Sequence, residues 1–348
     1  MRIADVIAGL LVAALLAFGF LPPAAGQENP EKYTLAFRFQ TGERFRYDIT
    51  TRRESRWPGE GGFGIGETVE EIEGRLLEVL EGGGGQMAIR ITQERVRQKH
   101  SFNQPGLPGI EFDSQGMTEE DLRDAARRDP RVSSAAALLG QSYVVRIDES
   151  GEILAVEGLE SYMAKVAEEA SRELSEADSR ALAEEIARGG QTRMKEGLGT
   201  AFSFLPDAEV ARGESWKSRF CRFLLPSGKV VEEVTLTLDE VKDGRAAISY
   251  ASKPAFENAR PIVPPSLLED PEAKRILENL NMEASELSGG GKIEFDLVGG
   301  RLVRLEAPVR FLVTMKLPFE GTEEMPPIIQ EIVDTRTIEL VEILPRQE

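Results

Sequence analysis

The sequence feature that most constrains the fold is a long run of strict alternation near the C-terminus. Apolar residues occupy every second position from Val303 to Leu317, and the residues between them are mostly polar. Successive side chains of an extended strand point to opposite faces, so this pattern predicts antiparallel sheet with one buried and one wet face. Pro308 marks either a bend within one strand or the junction of two strands.

Two shorter runs near the N-terminus alternate in the same way. One runs from Tyr33 to Phe39, and the other runs from Phe45 to Ile49. Both predict strands with an apolar face. The chain is therefore expected to be rich in sheet well before its C-terminal run begins.

Helical patterns occur in fewer places. The predicted helices cover 119–128, 159–174, 175–190, 194–202 and 270–280. Thr118 and Asp121 form a capping-box-like start to the first, and Ser175 is an N-cap that separates the second from the third. Gly189-Gly190 is expected to end the third helix, and Asp270 with Pro271 is a good beginning for the last.

The two halves of the chain share an ordered set of matches. The matched segments begin at Gly42 and Gly213, at Leu77 and Leu238, and at Gly151 and Gly300. The matches predict two pseudo-repeated units. The predicted fold class is α+β and predominantly antiparallel β, with curved sheet units over 27–158 and 205–348 and helices packed on one face. The segment 159–204 would supply connecting helices. The alternative is that glycine-punctuated alternation arises in any β-rich chain.

The N-terminus has the pattern of a signal peptide. Arg2 precedes an apolar run over 6–21, and cleavage after Gly26 leaves small residues at the positions a signal peptidase prefers. The expected location is periplasmic or secreted in a bacterium, with an uncleaved anchor as the alternative. Cys221 is the only cysteine, so the exported chain is expected to rely on core packing and not on an internal disulfide.

The net charge of −18 bears on the class of partner. It argues against nucleic acid, because no basic surface is available to displace phosphate counterions. It also argues against electrostatic docking on anionic lipid. Cationic partners remain compatible with this charge, and so does the simpler reading that it serves solubility.

No nucleophilic or metal centre emerges from the sequence. His100 is the only histidine, which excludes three-histidine zinc sites, and it is expected at the surface. Arginines flank Cys221 and could activate it, but an inert or partly buried thiol is the expectation. Gly62–Gly66 lacks a following helix and reads as a hairpin loop, not a dinucleotide site. No catalytic, cofactor-binding or metal-binding residues and no cofactor are therefore predicted.

The long apolar face of the sheet exceeds what the narrow, alanine-rich helical stripes can cover. Self-coverage by the two halves is one explanation, and an apolar ligand or an envelope partner is another. The candidate ligand contacts are Phe45, Trp216, Phe311, Val313 and Met315.

Several of the segments resemble a known family. They are 112–114, 138–140, 145–158, 204–206 and 213–216. In their order they resemble a family of exported bacterial proteins of unknown function common in planctomycetes. A more distant similarity is to LolA-like lipoprotein carriers, which implies a curved antiparallel sheet partly closed over helices. The resemblance implies no catalytic residues.

Three hypotheses follow. The first is a non-enzymatic exported envelope protein that binds an apolar ligand or a lipoprotein. The second is a scaffolding module of the envelope that binds other proteins. The third is a hydrolase that uses carboxylates alone, which would require a convergent pair of acids in one cleft.

Overall fold

The computed structural model describes most of the chain after residue 30. The described residues are 31–59, 62–83, 85–104, 106–107, 109–128, 132, 138–170, 175–224, 228–258, 270–272, 274–275, 281–316 and 328–346. The predicted signal peptide lies outside the described residues.

Fourteen strands and three helices are assigned within the described residues. The strands are β1 (Lys32–Tyr33), β2 (Arg44–Gly59), β3 (Gly62–Glu81), β4 (Gln86–Phe102), β5 (Ile110–Asp113), β6 (Ser142–Asp148), β7 (Ile153–Glu157), β8 (Val210–Ala211), β9 (Ser215–Leu224), β10 (Gly228–Lys242), β11 (Arg245–Asn258), β12 (Asn281–Asp296), β13 (Arg301–Lys316) and β14 (Ile328–Leu344). The helices are α1 (Glu119–Arg128), α2 (Leu159–Ala170) and α3 (Glu176–Phe202).

One large antiparallel sheet dominates the molecule. Its strands lie in the order β7-β6-β4-β3-β2-β14-β13-β12-β11-β10-β9, and β5 pairs separately with β4. Most neighbours in the sheet are also neighbours in sequence. The exception at the centre is β2 with β14, the first and last long strands, which pair over most of their length. This pairing joins the two halves into one continuous sheet, and the prediction of a predominantly antiparallel β fold is confirmed.

Helix α3 contacts both edge strands of this sheet, β7 and β9. At its C-terminal end the Thr200 hydroxyl donates to the carbonyl of Cys221 on β9, at 3.3 Å. The hydroxyl of Ser203 donates to the carbonyl of Gly151, just before β7, at 3.1 Å. Exposed sheet edges invite pairing with other chains, and a helix laid across them is one way to protect them.

The segment after β1 is not the strand that its alternation predicts. Only Lys32–Tyr33 is strand, and the next seven residues have no regular structure, with Leu35, Phe37 and Phe39 buried. The amide of Phe37 donates to the carbonyl of Glu149 at 2.9 Å, and that of Arg38 donates to the carbonyl of Gly300 at 3.1 Å. The backbone hydrogen bonds of this segment therefore go to one turn in each half of the chain and not to a neighbouring strand.

Phe37 occupies the middle of the apolar core. Its ring centroid lies 5.5–5.9 Å from those of Phe39, Phe202, Phe204 and Phe295. These rings come from the interior segment, the end of α3, the following turn and β12. The core is thus filled by residues from all parts of the chain, most of them from strands of the sheet.

The two Gly-Glu segments form the same turn. Gly42 and Gly213 both have φ +83°. Their amides donate to the carbonyls of Val79 and Leu238 at 2.8 and 2.7 Å. In each turn the carboxylate of the following glutamate accepts from the amide three residues earlier, at 2.8 and 2.7 Å. The two pseudo-repeated units and the packing of helices on one face stay predictions, as do the boundaries proposed for them.

Other local expectations have mixed outcomes. The Thr118–Asp121 capping box and the Ser175 N-cap are confirmed by their hydrogen bonds. The predicted break at Gly189-Gly190 is wrong, because α3 continues through both glycines. Each of these glycines destabilises the helix by about 1 kcal/mol relative to alanine. Packing of other residues of α3 against the sheet can offset that loss. Pro308 lies inside one continuous strand, β13. Of the helix predicted at 270–280, residues 271–272 and 274–275 are helical, and the remainder lies outside the described residues.

Candidate binding site in the interior of the sheet

The inner face of β14 shows how the interior is layered. Its inward-facing residues are Ile332, Asp334, Arg336 and Ile338. Ile338 belongs to the main apolar core, while Ile332 belongs to a second apolar cluster with Val309, Phe311, Val313 and Val230. We call the first the main core and the second the distal cluster. Between them lies a charged layer, composed of Arg53, Glu71, Glu73, Arg75, Arg222, Glu232, Asp334 and Arg336.

A small cavity lies between the main core and α3. Its volume is about 40 Å³. It is lined by Phe37, Phe39, Tyr47, Ile49, Arg75, Leu77, Ile91, Leu198, Ala201, Phe202, Leu302 and Ile338. Of these, Arg75 alone carries a charge. An apolar cavity with one buried polar group at its wall is the usual form of a small-molecule site.

Arg75 is held by groups from three elements. Its guanidinium donates to the carboxylate of Glu73 and, at 3.3 Å, to the hydroxyl of Tyr143 on β6. Tyr143 in turn packs edge-on against Tyr162 of α2. Burial opposes the charge of Arg75, but Glu73 raises the pKa of the guanidinium above its usual value. The Nε atom is buried without a hydrogen-bond partner among the described residues.

The centre of the charged layer is a deeply buried ion-pair network. Arg222 donates from Nε to Glu232 at 2.8 Å and from Nη1 to Asp334 at 3.4 Å. Asp334 also accepts two hydrogen bonds from Arg53, at 3.0 and 3.1 Å. The side chains of Arg222 and Glu232 are 5% and 0% exposed. Removing such charges from water is costly, so the network is a poor source of stability in itself.

Part of this network is unsatisfied. Within the part of the chain that the structure describes, no partner is found for Arg222 Nη2, Glu232 Oε2, Tyr250 Oη or Ser252 Oγ, all of which are buried. A Cβ at Gly289 would lie 2.2 Å from Ser252 Oγ and 3.0 Å from Glu232 Oε2. Because residue 289 of β12 is a glycine, the Ser252 hydroxyl and the Glu232 carboxylate can occupy the space beside it.

Arg336 differs from the other arginines of the layer. No hydrogen bond or ion pair joins it to any described residue, and its Nε is buried. Its cross-strand neighbours are Ala307 on β13 and Thr51 on β2, neither of which is acidic. Burial, followed by the nearby guanidinium of Arg75, lowers the pKa of Arg336 to about 10.

A larger cleft, called here the outer cleft, has a volume of about 610 Å³ and shares Tyr47 and Arg75 with the cavity. Its charged lining includes Asp48, Glu94 and Glu342. Glu94 and Glu342 both accept from Arg46, at 2.9 and 2.8 Å. Burial raises the pKa of Asp48, while Arg95 opposes the shift. Two of the three carboxylates are thus engaged by one guanidinium.

The structure disperses the predicted ligand contacts. Phe45 is fully buried in the main core, and Trp216 packs at its margin with its indole N–H donating to the carbonyl of Phe204 at 2.8 Å. Phe311 and Val313 lie in the distal cluster. The side chain of Met315 lies outside the described residues. The four described residues do not line the central cavity, so their contact with a ligand stays a prediction.

Of the two chemically distinctive residues, Cys221 is buried and His100 is partly buried. The side chain of His100, which the sequence predicts at the surface, is 16% exposed and lies on β4 with its Nδ1 atom 3.7 Å from a carboxylate oxygen of Glu67. Cys221 is buried, and burial together with Glu196 raises the pKa of its thiol to about 11. Within the described residues no group of three or more candidate metal ligands is found.

Sequence reasoning missed the charged layer, although a signal for it exists. Arg222 is in phase with buried Phe220, and Arg336 is in phase with buried Ile338. A charged residue in the apolar phase of a strand is rarely buried without a partner or a function. Inspection of the apolar phase for charges would therefore have identified both arginines.

The comparisons with known proteins find one family model that matches part of the chain. Residues 108–263 match the model of a family of unknown function (DUF6263). No curated protein matches the chain. The match agrees with the expected kinship to proteins of unknown function. The planctomycete and LolA-like resemblances receive no support from it.

The similar solved structures are distant. Lipovitellin, solved in a study of its lipid–protein interactions, is 11% identical with a TM-score of 0.41. The match covers 89% of this chain and 26% of lipovitellin, so the chain spans about a quarter of that protein. The outer membrane protein OprG from Pseudomonas aeruginosa is 5% identical with a TM-score of 0.21, and the match covers 88% of this chain and 96% of OprG. In the described part of the chain, none of the helices has the length and apolar character that crossing a membrane requires.

Proposed function

We propose that the protein is a non-enzymatic, exported envelope protein that binds an apolar ligand in the central cavity between α3 and the sheet. The observation that carries the proposal is the cavity itself. Its lining is apolar apart from Arg75 and the hydroxyl of Tyr47, and it lies between α3 and the sheet. Export is supported by the signal-peptide pattern of residues 1–26.

The ligand-free cavity is small, and this determines how binding must occur. A volume of about 40 Å³ accommodates two to four water molecules, since each needs about 10–15 Å³. An alkyl chain therefore requires an outward shift of the α3 end that carries Leu198, Ala201 and Phe202. That end is joined to the sheet edges by few hydrogen bonds, notably those of Thr200 and Ser203.

The two other functions have weaker support. A carboxylate hydrolase would use the outer cleft, but Glu94 and Glu342 are both committed to Arg46 there. A scaffolding module would need an exposed apolar surface. Four of the exposed large apolar residues on the described surface occur singly in sequence, and the other four form two pairs on β14, Ile328 with Ile329 and Val341 with Ile343. Single exposed apolar residues are normal on a protein surface.

Native mass spectrometry of the purified mature protein, followed by organic extraction, tests the proposal. We expect a bound apolar molecule that extraction releases, and we expect the emptied protein to bind a hydrophobic dye with saturation. Absence of both a bound molecule and saturable dye binding would contradict the proposal.

A cavity-filling variant makes the test specific to the site. Ala201→Phe places a ring in the cavity and is expected to abolish dye binding while the protein stays folded. Ala164→Phe adds the same ring at an exposed position of α2 and is the matched control. Equal dye binding by both variants would place the dye elsewhere.

A further inference from the structure

We propose that the ligand is a single-chain amphiphile with an anionic head, and that Arg336 binds this head. The inference rests on the proposed function, because the apolar chain of the same molecule would occupy the central cavity. It adds the chemical class of the ligand and a residue that selects it.

The first argument is the position of Arg336. It is the next inward-facing residue of β14 after Ile338, which lines the cavity. The Arg75 side chain lies at the wall of the same cavity and is close enough for its charge to disfavour that of Arg336. Arg75 thus lines the cavity itself, and Arg336 lies one inward-facing position beyond the cavity wall on β14.

The second argument is that the nearby acids are already bonded to other groups. Glu73 accepts from Arg75, and Asp334 accepts from Arg53 and Arg222. The remaining acids of the layer, Glu232 and Glu71, accept from Arg222 and Gln98. Arg336 therefore has no carboxylate of its own among the described residues.

The third argument concerns what such a site would prefer. Buried guanidinium groups bind carboxylate, sulfate or phosphate oxygens through short, charge-assisted hydrogen bonds. Arg336 offers its whole guanidinium, and Arg75 adds an unpartnered Nε. A neutral alcohol head would satisfy fewer of these donors, and an ammonium head would be repelled. Anionic heads should therefore be selected over both.

The test compares three ligands with the same alkyl chain below their micelle concentrations: decanoate, 1-decanol and decylamine. Displacement of a hydrophobic dye from the delipidated protein gives the three affinities. We expect decanoate to bind about tenfold more tightly than 1-decanol, the effect of one charge-assisted hydrogen bond, and decylamine to bind most weakly. In Arg336→Met the preference for decanoate over 1-decanol should disappear while 1-decanol still binds.

Arg304→Met is the matched control, because Arg304 lies on β13 with its half-exposed side chain paired to glutamates. It should keep the preference for decanoate. Equal binding of decanoate and 1-decanol by the natural protein would overturn this inference and leave the proposed function standing. An unchanged preference in Arg336→Met, checked for folding by its thermal transition, would also overturn it. Failure of all three ligands to bind would contradict the proposed function itself.

Discussion

The main core and the charged layer are neighbouring regions of one interior with opposite energetic characters. The main core buries rings such as Phe37, Phe45 and Phe295 in close contact, and each contributes favourably through burial of apolar surface. The charged layer buries Arg222, Glu232 and Asp334, whose desolvation offsets much of their mutual attraction. Stability therefore comes from the first region.

The contrast indicates why the second region is informative about function. A fold of this size could fill the layer with apolar residues at no loss of stability. The layer also contains Arg336, which has no partner among the described residues. Buried charges that do not stabilise the fold and lie near a cavity are candidates for a ligand site. The apolar packing of the main core stabilises the fold and needs no functional explanation.

The largest effect is expected in the main core. Phe37→Ala should lower the free energy of unfolding by about 4 kcal/mol, because the surrounding rings cannot close the space that is left. Urea denaturation measures the change. Leu154→Ala, at a partly exposed position of β7, is the control and should change stability by less than about 0.5 kcal/mol. Similar values for both variants would remove the distinction between core and surface.

Breaking the ion-pair network should cost slightly less. Glu232→Ala leaves Arg222 buried without its closest carboxylate and should lower stability by about 3 kcal/mol. In the double variant with Arg222→Met most of the loss should be recovered, because the uncompensated charge is gone. A double variant as unstable as Glu232→Ala would show that the network supports the fold.

Unlike the two variants above, Arg336→Met should raise the free energy of unfolding. Replacing a partly buried charge that has no partner among the described residues with an apolar side chain of similar length should raise stability by about 1 kcal/mol. The same denaturation series measures it, with Arg304→Met as the unaffected control. A loss of stability would mean that Arg336 is paired in solution, and the comparison between the two regions would need revision.

Replacing the glycine by alanine in either Gly-Glu turn should lower stability by the same amount. Gly42→Ala and Gly213→Ala each force a left-handed conformation on an L side chain, which costs about 1–2 kcal/mol. Thermal or urea unfolding of the two variants tests whether the halves are equivalent in energy as well as in hydrogen bonding. If the stability losses of the two variants differed by more than about 2 kcal/mol, the two turns would be equivalent in geometry but not in energy.

The smallest expected effect concerns the reactivity of the Cys221 thiol, which lies beside Arg222 on β9. Burial and Glu196 raise the pKa of the thiol to about 11, so little thiolate is present at pH 8. Alkylation by iodoacetamide should be much slower in the folded than in the unfolded protein, and its rate should rise with pH up to about 11. Fast alkylation of the folded protein at pH 8 would contradict the closed contact between α3 and β9.

Local sequence patterns predicted the antiparallel sheet and the helix starts, because alternation and capping are properties of adjacent residues. The long-range features could not be predicted in this way. The pairing of β2 with β14 joins residues far apart in sequence, and the alternation of Tyr33 to Phe39 cannot distinguish a strand from an extended interior segment. In both cases one side of an extended chain faces the core, and here Leu35, Phe37 and Phe39 are buried while Thr34, Arg38 and Gln40 are exposed.

The candidate site was missed for a related reason. The aromatic residues chosen as ligand contacts, such as Phe45 and Phe311, were correctly expected to be apolar and inward-facing, but they belong to separate clusters. A cavity depends on how distant elements meet, here α3 with β2, β3 and β14. The partnerless state of Arg336 likewise depends on which acids the neighbouring arginines have engaged, and no local pattern encodes that.

The most direct test of the account is a crystal structure of the protein with a fatty acid that carries bromine at its chain end. Anomalous scattering locates the bromine independently of any model. The account predicts bromine in the cavity beside Leu198 and Ile338, with the carboxylate within hydrogen-bond distance of Arg336. Bromine bound only on the outer face of the sheet, or an interior unchanged at saturating ligand, would contradict it.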